Sequence, residues 1–199
     1  MSSMSPPDHW QQLGSETLLV TPYYEIRREH VIRHDGRRES YDLLWMPRDV
    51  VVVVPVRNRR EVLMIKQYRQ SSRKMSYEVP AGGMDEGETP EQAARRELLE
   101  ETGWDCPRVE LARTYFPMAG RSNVRFHILH APEPVHAGPP TDPHEAEGVF
   151  WADRQRFAEL WRAQDIHTGA SVTALLLALA MRWLDWDPTN LLVGVPKVE

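Results

Sequence analysis

An α/β/α sandwich with a mixed sheet, preceded by a small N-terminal antiparallel β-sheet, is the α/β fold class that this 199-residue sequence predicts. Three observations carry that expectation. Residues 17–46 alternate apolar and polar side chains in short runs, as strands with one solvated face do. Residues 50–54 are five consecutive valines, a β-branched run suited to a strand buried on both faces. Segments near 90–102 and 170–183 carry helix caps or helical apolar spacing, so helices are at hand to cover such a sheet.

In chain order, the first strands are expected at 17–20, 23–30 and 40–44, with the turn His34-Asp35-Gly36 between the last two. After the valine run, a turn at 57–60 leads into a strand over 61–69. The next helix has its limits near 90 and 102: Thr89 is a good N-cap, Pro90 suits the first helical position, Gln92 completes a capping box and Gly103 can close the end. Strands follow at 109–116 and 124–130, with a short one at 150–152. Residues 155–164 read as a helix, and a last helix from about 170 to 183 presents Leu175, Leu176, Ala178 and Leu179 to the sheet. Between them, 132–148 is rich in proline, histidine and acid and reads as a loop, of a length that is more often functional or disordered than merely connecting. The expected organisation is a flexible N-terminus over 1–14, an N-terminal sheet over 15–47, a main domain over 48–186 and a tail over 187–199.

The chemistry is concentrated in the helix at 90–102. Glu97, Glu100 and Glu101 lie at i, i+3 and i+4, which stacks three carboxylates on one helical face. They fall in the last turns, where the helix dipole favours cations, so the placement costs about 0.3–1 kcal/mol per acid and stability does not explain it. A solvated acidic face is one reading of such a run. A hard divalent cation is the other, because Mg²⁺ takes oxygen ligands and binds through one or two carboxylates together with substrate phosphates. The surrounding pattern favours the cation: Gly82, five residues, Glu88, seven residues, then Arg96-Glu97-Leu98-Leu99-Glu100-Glu101-Thr102-Gly103-Trp104.

Those residues resemble the Nudix box in every fixed position, and Gln67-Tyr68-Arg69 with Glu78-Val79-Pro80-Ala81-Gly82 resemble the segment before the box in ADP-ribose pyrophosphatases and related nucleotide-sugar diphosphatases. The resemblance implies a Nudix-type sandwich and hydrolysis of a nucleoside diphosphate linked to another moiety. It implies Glu97, Glu100, Glu101 and the carbonyl of Ala81 as ligands of Mg²⁺ or Mn²⁺, with more than one ion per site. Glu88 and Arg96 would orient the helix, with Gly82 allowing the tight loop before it. Arg69 would meet substrate phosphate through its forked donors and Glu78 would lie near the metals. Gly120-Arg121-Ser122-Asn123 resembles the loop after the box, which makes Ser122 a substrate contact, although Ala119 stands where many ADP-ribose pyrophosphatases carry proline. The base that activates water would be Glu145 or Glu147 on the late loop, or Glu100 or Glu101 in the box, since reach and pKa decide between them. In the resembling enzymes the N-terminal sheet exchanges across a homodimer and its aromatics hold the base; Trp45, Tyr23 and Tyr24 are the matching types, and core packing is the other use of strand aromatics.

Composition narrows the partners. A formal net charge of −5 argues against sequence-independent nucleic-acid binding, which needs a basic surface. The single cysteine, Cys106, permits no intrachain disulfide, the first residues lack a signal-peptide pattern, and the apolar run at 172–184 is too short to span a bilayer. A cytoplasmic enzyme with no membrane partner is expected. ADP-ribose leads the substrates, with GDP-mannose, another nucleoside diphosphate sugar or a dinucleotide as alternatives. A triphosphate-sanitising enzyme and a module that binds ADP-ribose without cleaving it are the more distant readings.

Overall fold

The computed structural model describes residues 10–142 and 147–191. The chain divides into two units. The first comprises the described residues up to Asp49 together with Phe116–Arg125, and the second holds the rest.

In the first unit, β1 (Gln11–Val20), β2 (Glu25–Ile32) and β3 (Arg38–Trp45) form an antiparallel sheet in the order β1-β2-β3. The β2–β3 turn closes through Gly36 at φ 81°, a conformation in which glycine carries no Cβ penalty. Two differences from the sequence reading appear. β1 begins at Gln11, so part of the terminus expected to be flexible is paired; its polar residues show no alternation, and the register with β2 supplies the order instead. The segment 116–125, placed in the main domain from sequence, clusters here: Leu44 N donates to Arg121 O at 2.8 Å, and the Asn123 amide exchanges hydrogen bonds with the Met46 backbone at 2.7 and 2.8 Å.

The second unit is built on β4 (Val50–Arg57), β5 (Glu61–Arg69), β6 (Lys74–Glu78) and β7 (Ala81–Gly83), followed by α1 (Pro90–Thr102), β8 (Trp104–Asp105), β9 (Glu110–Tyr115) and β10 (Phe126–Pro132). Then come β11 (Val135–His136), β12 (Gly148–Asp153), α2 (Arg154–Arg162), α3 (Gly169–Ala180) and the one-turn α4 (Pro188–Leu191), which occupies the start of the expected tail. The sheet runs β12-β5-β4-β10-β9, with β6 on β5 and β7 on β4. Only the β4–β10 pairing is parallel, which makes the sheet mixed. The loop expected at 132–148 contains β11, whose Val135 and His136 pair with Asp105 and Trp104.

The valines of β4 alternate between two cores. Val51 and Val53 pack with Leu63, Ala93, Ala94, Leu98 and Leu129 beneath α1, whereas Val52 and Val54 pack with Met64, Ile128, Phe157, Leu175 and Ala178 beneath α2 and α3. A strand covered by helices on both faces has no solvated side, which is why the run is uniformly apolar. Leu98 is fully buried and is the largest α1 side chain in its core, so Leu98→Ala is expected to cost about 2–5 kcal/mol, read as a lower denaturation midpoint with an unchanged slope.

The caps of α1 form as their residues predict. Thr89 Oγ1 accepts from Gln92 N at 3.3 Å, Gln92 Oε1 accepts from Thr89 N at 2.9 Å, and Gly103, at φ 75°, donates to Leu99 O at 2.9 Å. Among the described residues, no helix is long and apolar enough to cross a membrane.

Candidate active site

The box helix and the loop before it are tied together by their own acids. β7 holds Ala81, Gly82 and Gly83 against Val52, Val51 and Val50 of β4. Glu101, 3% exposed, accepts from Ala81 N at 3.0 Å. Glu97, 7% exposed, lies with its carboxylate against the Gly82 Cα, where any Cβ would collide with it, so glycine at 82 is required by a close approach and not by an unusual φ. Glu100 is half-buried.

Arg96 is the hub. Its Nε and Nη2 form a two-pronged bond to Glu88 at 2.9 Å each, and Nη2 also donates to Gly83 O at 2.9 Å. Its Nη1 donates to Glu97 at 2.6 Å and to Glu100 at 3.1 Å. Five guanidinium donors thereby meet five acceptor contacts. The Glu88 bond, with smaller contributions from Glu97 and Glu100, holds the guanidinium even more firmly protonated than usual against the opposing effect of burial. Glu88 also accepts from Asp85 N at 2.8 Å, which closes the loop. The three acids of the helix face are thus met in part by a cation from within the box. The Arg96–Glu100 contact has i, i+4 spacing and was available from sequence; the Gly83 carbonyl was not.

Arg69 and Glu78 lie on the same sheet face as α1, because Glu78 pairs with Ile65, two residues beyond Leu63 of the α1-side core, and Val149 of that core pairs with Ile65 from the other side. They form one unit: Arg69 Nε and Nη2 donate to the two Glu78 oxygens at 2.8 and 2.6 Å, and Glu78 is only 2% exposed. Ser171 near the start of α3 accepts from Val79 N, the residue after Glu78, at 3.2 Å, a support that no sequence signal links across 92 positions.

Glu147 is exposed, and its backbone N donates to Lys66 O at 2.8 Å. Extending the β12–β5 register puts it opposite Gln67, on the α1 side of the sheet. Glu145 lies outside the described residues. Trp45 and Ser122 belong to the first unit. The Arg27 guanidinium covers the Trp45 ring at 4.1 Å, and Ser122, 6% exposed, accepts from Val124 N at 3.3 Å.

The donor set around α1 is all oxygen, which suits a hard divalent ion. Glu97 and Glu100 accept from Arg96, Glu101 accepts from Ala81 N, and among the described residues no three acids are gathered as a group that could hold a metal ion. Arg96 Nη1, placed between two of the acids, marks with its own charge where a cation is favoured.

A sheet faced on one side by an acid-bearing box helix defines the class of protein, and the chain belongs to the Nudix family: the NUDIX domain matches residues 46–172. It is 33% identical over 172 residues, 86% of this chain and 83% of the relative, to the CMP-5'-(N-acetyl-N-hydroxy-3-aminopropyl)phosphonate hydrolase of Streptomyces rubellomurinus. It is 30% identical over 121 residues, 61% of this chain and 65% of the relative, to the ADP-ribose pyrophosphatase of Bacillus subtilis. Among solved structures, the crystal structure of an ADP compounds hydrolase superposes with a TM-score of 0.78 over 89% of this chain and 96% of that one, at 19% identity, which establishes the shared fold.

Proposed function

We propose that the protein is a divalent-metal-dependent hydrolase of the diphosphate linkage in a nucleoside diphosphate sugar, with ADP-ribose first, giving a nucleoside monophosphate and a sugar phosphate. The observation that carries this reading is the lock between α1 and the 81–83 strand: two nearly buried carboxylates, Glu97 and Glu101, are fixed there by Gly82 and Ala81, beside the arginine-bearing face of Arg69 and Glu78. Glu97, Glu100, Glu101 and the Ala81 carbonyl would hold Mg²⁺ or Mn²⁺. When bound, more than one such ion would neutralise phosphoryl charge and acidify a water. Glu78 fixes the direction of the Arg69 guanidinium through Nε and Nη2, and the outer edge of that guanidinium would steady the other phosphate. A glutamate removes the proton as the water oxygen bonds to phosphorus and the P–O bond to the leaving phosphate breaks. Glu147, tied to β5 by its backbone bond to Lys66 O, and Glu145, two residues earlier in the sequence, are the loop candidates, and Glu100 and Glu101 are the box alternatives.

Trp45 and Ser122 are substrate contacts of this reading, Trp45 for the base. We propose a homodimer through the N-terminal sheet: β1 is exposed along its whole length at the sheet edge and carries Leu13, Leu18, Leu19 and Val20 outward. Light scattering would give twice the 23.0 kDa chain mass if so. Cytoplasmic residence belongs to the same reading.

A second substrate class, a nucleotide joined to a phosphonate, is favoured by the similarity to the Streptomyces rubellomurinus phosphonate hydrolase, of which the chain covers 83%. The ratio of kcat/KM on ADP-ribose, GDP-mannose, a CMP-phosphonate, a dinucleotide and a triphosphate decides among them. ADP-ribose is expected to lead; turnover confined to the triphosphate would overturn the assignment, and metal-dependent binding without turnover would leave a sensing module. Metal binding should also stabilise the fold, by about 2.7 kcal/mol at one hundred times Kd, and melting curves that coincide with and without Mg²⁺ would contradict it.

A further inference from the structure

We infer that Arg96 is a built-in counter-ion for the metal site, one whose Nη1 must be displaced from Glu97 and Glu100 when a divalent ion binds while the rest of the guanidinium stays anchored on Glu88. This rests on the metal-dependent reading above. The contacts divide cleanly in two. Three bonds, to both Glu88 oxygens and to Gly83 O, lie on the loop side and involve none of the proposed metal ligands. Two bonds, from the single nitrogen Nη1, go to Glu97 and Glu100, which are proposed ligands. The same side chain therefore orients the helix with one edge and neutralises its acids with the other.

That division has physical consequences. Without an ion, an acid triad in the last turns of α1 would repel itself and face an unfavourable dipole. Nη1 offsets that repulsion at the two acids it touches, so the unloaded helix can fold with its ligands already oriented. An entering ion has to outcompete a fixed, permanently charged donor bonded to both carboxylates. A divalent ion of high charge density can do so, whereas a monovalent ion offers no gain in charge over the guanidinium it replaces. Arg96 thereby lowers absolute metal affinity and raises discrimination against Na⁺ and K⁺. Once Nη1 is released, the Glu88 fork keeps the side chain in reach, so that it returns when the ion leaves.

The test compares the wild-type protein with Arg96→Met, which keeps an unbranched apolar stem and removes all five donors. Both proteins lose or keep the Glu88 anchor equally in the metal-free and metal-loaded states, so that contact cancels in the metal-induced rise in Tm. If Arg96 is a competing counter-ion, the metal-free variant melts lower than wild type, its metal-induced rise in Tm is larger, and Mn²⁺ binds several-fold tighter by titration calorimetry. If Arg96 only orients the helix, the rise is unchanged or smaller and Mn²⁺ affinity falls, which would overturn the inference. Should the variant not fold, the wild-type protein decides through its arginine side-chain nitrogen resonances. Saturating Mg²⁺ should then shift the Arg96 Nη1 signal while leaving Nε in place, and an Nη1 signal insensitive to Mg²⁺ would overturn the inference. A wild-type protein with no response to Mg²⁺ or Mn²⁺ in either measurement would remove the metal reading itself, and this inference with it.

Discussion

Glu101→Gln is expected to lower turnover by about 10²–10³-fold with no loss of fold, the largest functional effect in the molecule. The amide oxygen of glutamine can still accept from Ala81 N, so the 3.0 Å tie between α1 and the 81–83 strand survives. What disappears is the carboxylate charge at a nearly buried position, and with it one oxygen of a proposed ligand for a hard cation. A structural role alone would give the reverse pattern, with stability falling and the activity of the folded fraction retained. Circular dichroism melts run beside single-turnover rates separate the two outcomes, and a folded variant with wild-type rates would remove Glu101 from the site.

Arg69→Met is expected to produce the largest combined effect on binding and stability. Its partner Glu78 is 2% exposed and takes both of its short bonds from this one guanidinium. Removing one partner of such a pair leaves a buried carboxylate without its counter-charge, at a cost of about 3 kcal/mol. Because the same guanidinium is proposed to meet substrate phosphate, KM should rise together with the loss of stability. Adding Glu78→Gln should return part of the stability and none of the affinity, since the amide needs no counter-ion but restores no phosphate donor. A double-mutant cycle in urea, with KM measured on all four proteins, checks both halves. Equal recovery of stability and KM would show that Arg69 acts on substrate only through the fold.

These two predictions draw on parts of the site that were legible to different degrees. The box helix could be read almost completely, because its start at Thr89, its stop at Gly103 and the spacing of Glu97, Glu100 and Glu101 between them are local properties of one continuous segment. Arg69 and Glu78 each stand out in the sequence as candidates, one expected on phosphate and the other near metal. Their union depends on the tight turn between β5 and β6, which sets a register with Gln67 opposite Ser76 and so brings both residues to one face of the hairpin. Short strands such as β7, β8 and β11 left no pattern, since two or three residues are too few to show a period and their pairing is decided by distant partners. The grouping of 116–125 with the N-terminal sheet is equally non-local, resting on the Asn123 amide and the Met46 backbone 77 positions apart. Arg96 is the instructive case. Its pairing with Glu88 follows from the resemblance and its i, i+4 relation to Glu100 is local, but its reach to Glu97 and Gly83 O depends on how the side chain folds back over the loop.

The central claim, metal-dependent cleavage between the two phosphorus atoms of a nucleoside diphosphate sugar, is tested most directly by following ADP-ribose by ³¹P NMR with purified protein, first in excess chelator and then after adding Mg²⁺. The account predicts stable diphosphate signals in chelator that give way, once metal is added, to two phosphomonoester signals of equal intensity, those of AMP and ribose 5-phosphate. Diphosphate signals that persist with Mg²⁺ present, or that decay equally in chelator, would contradict it.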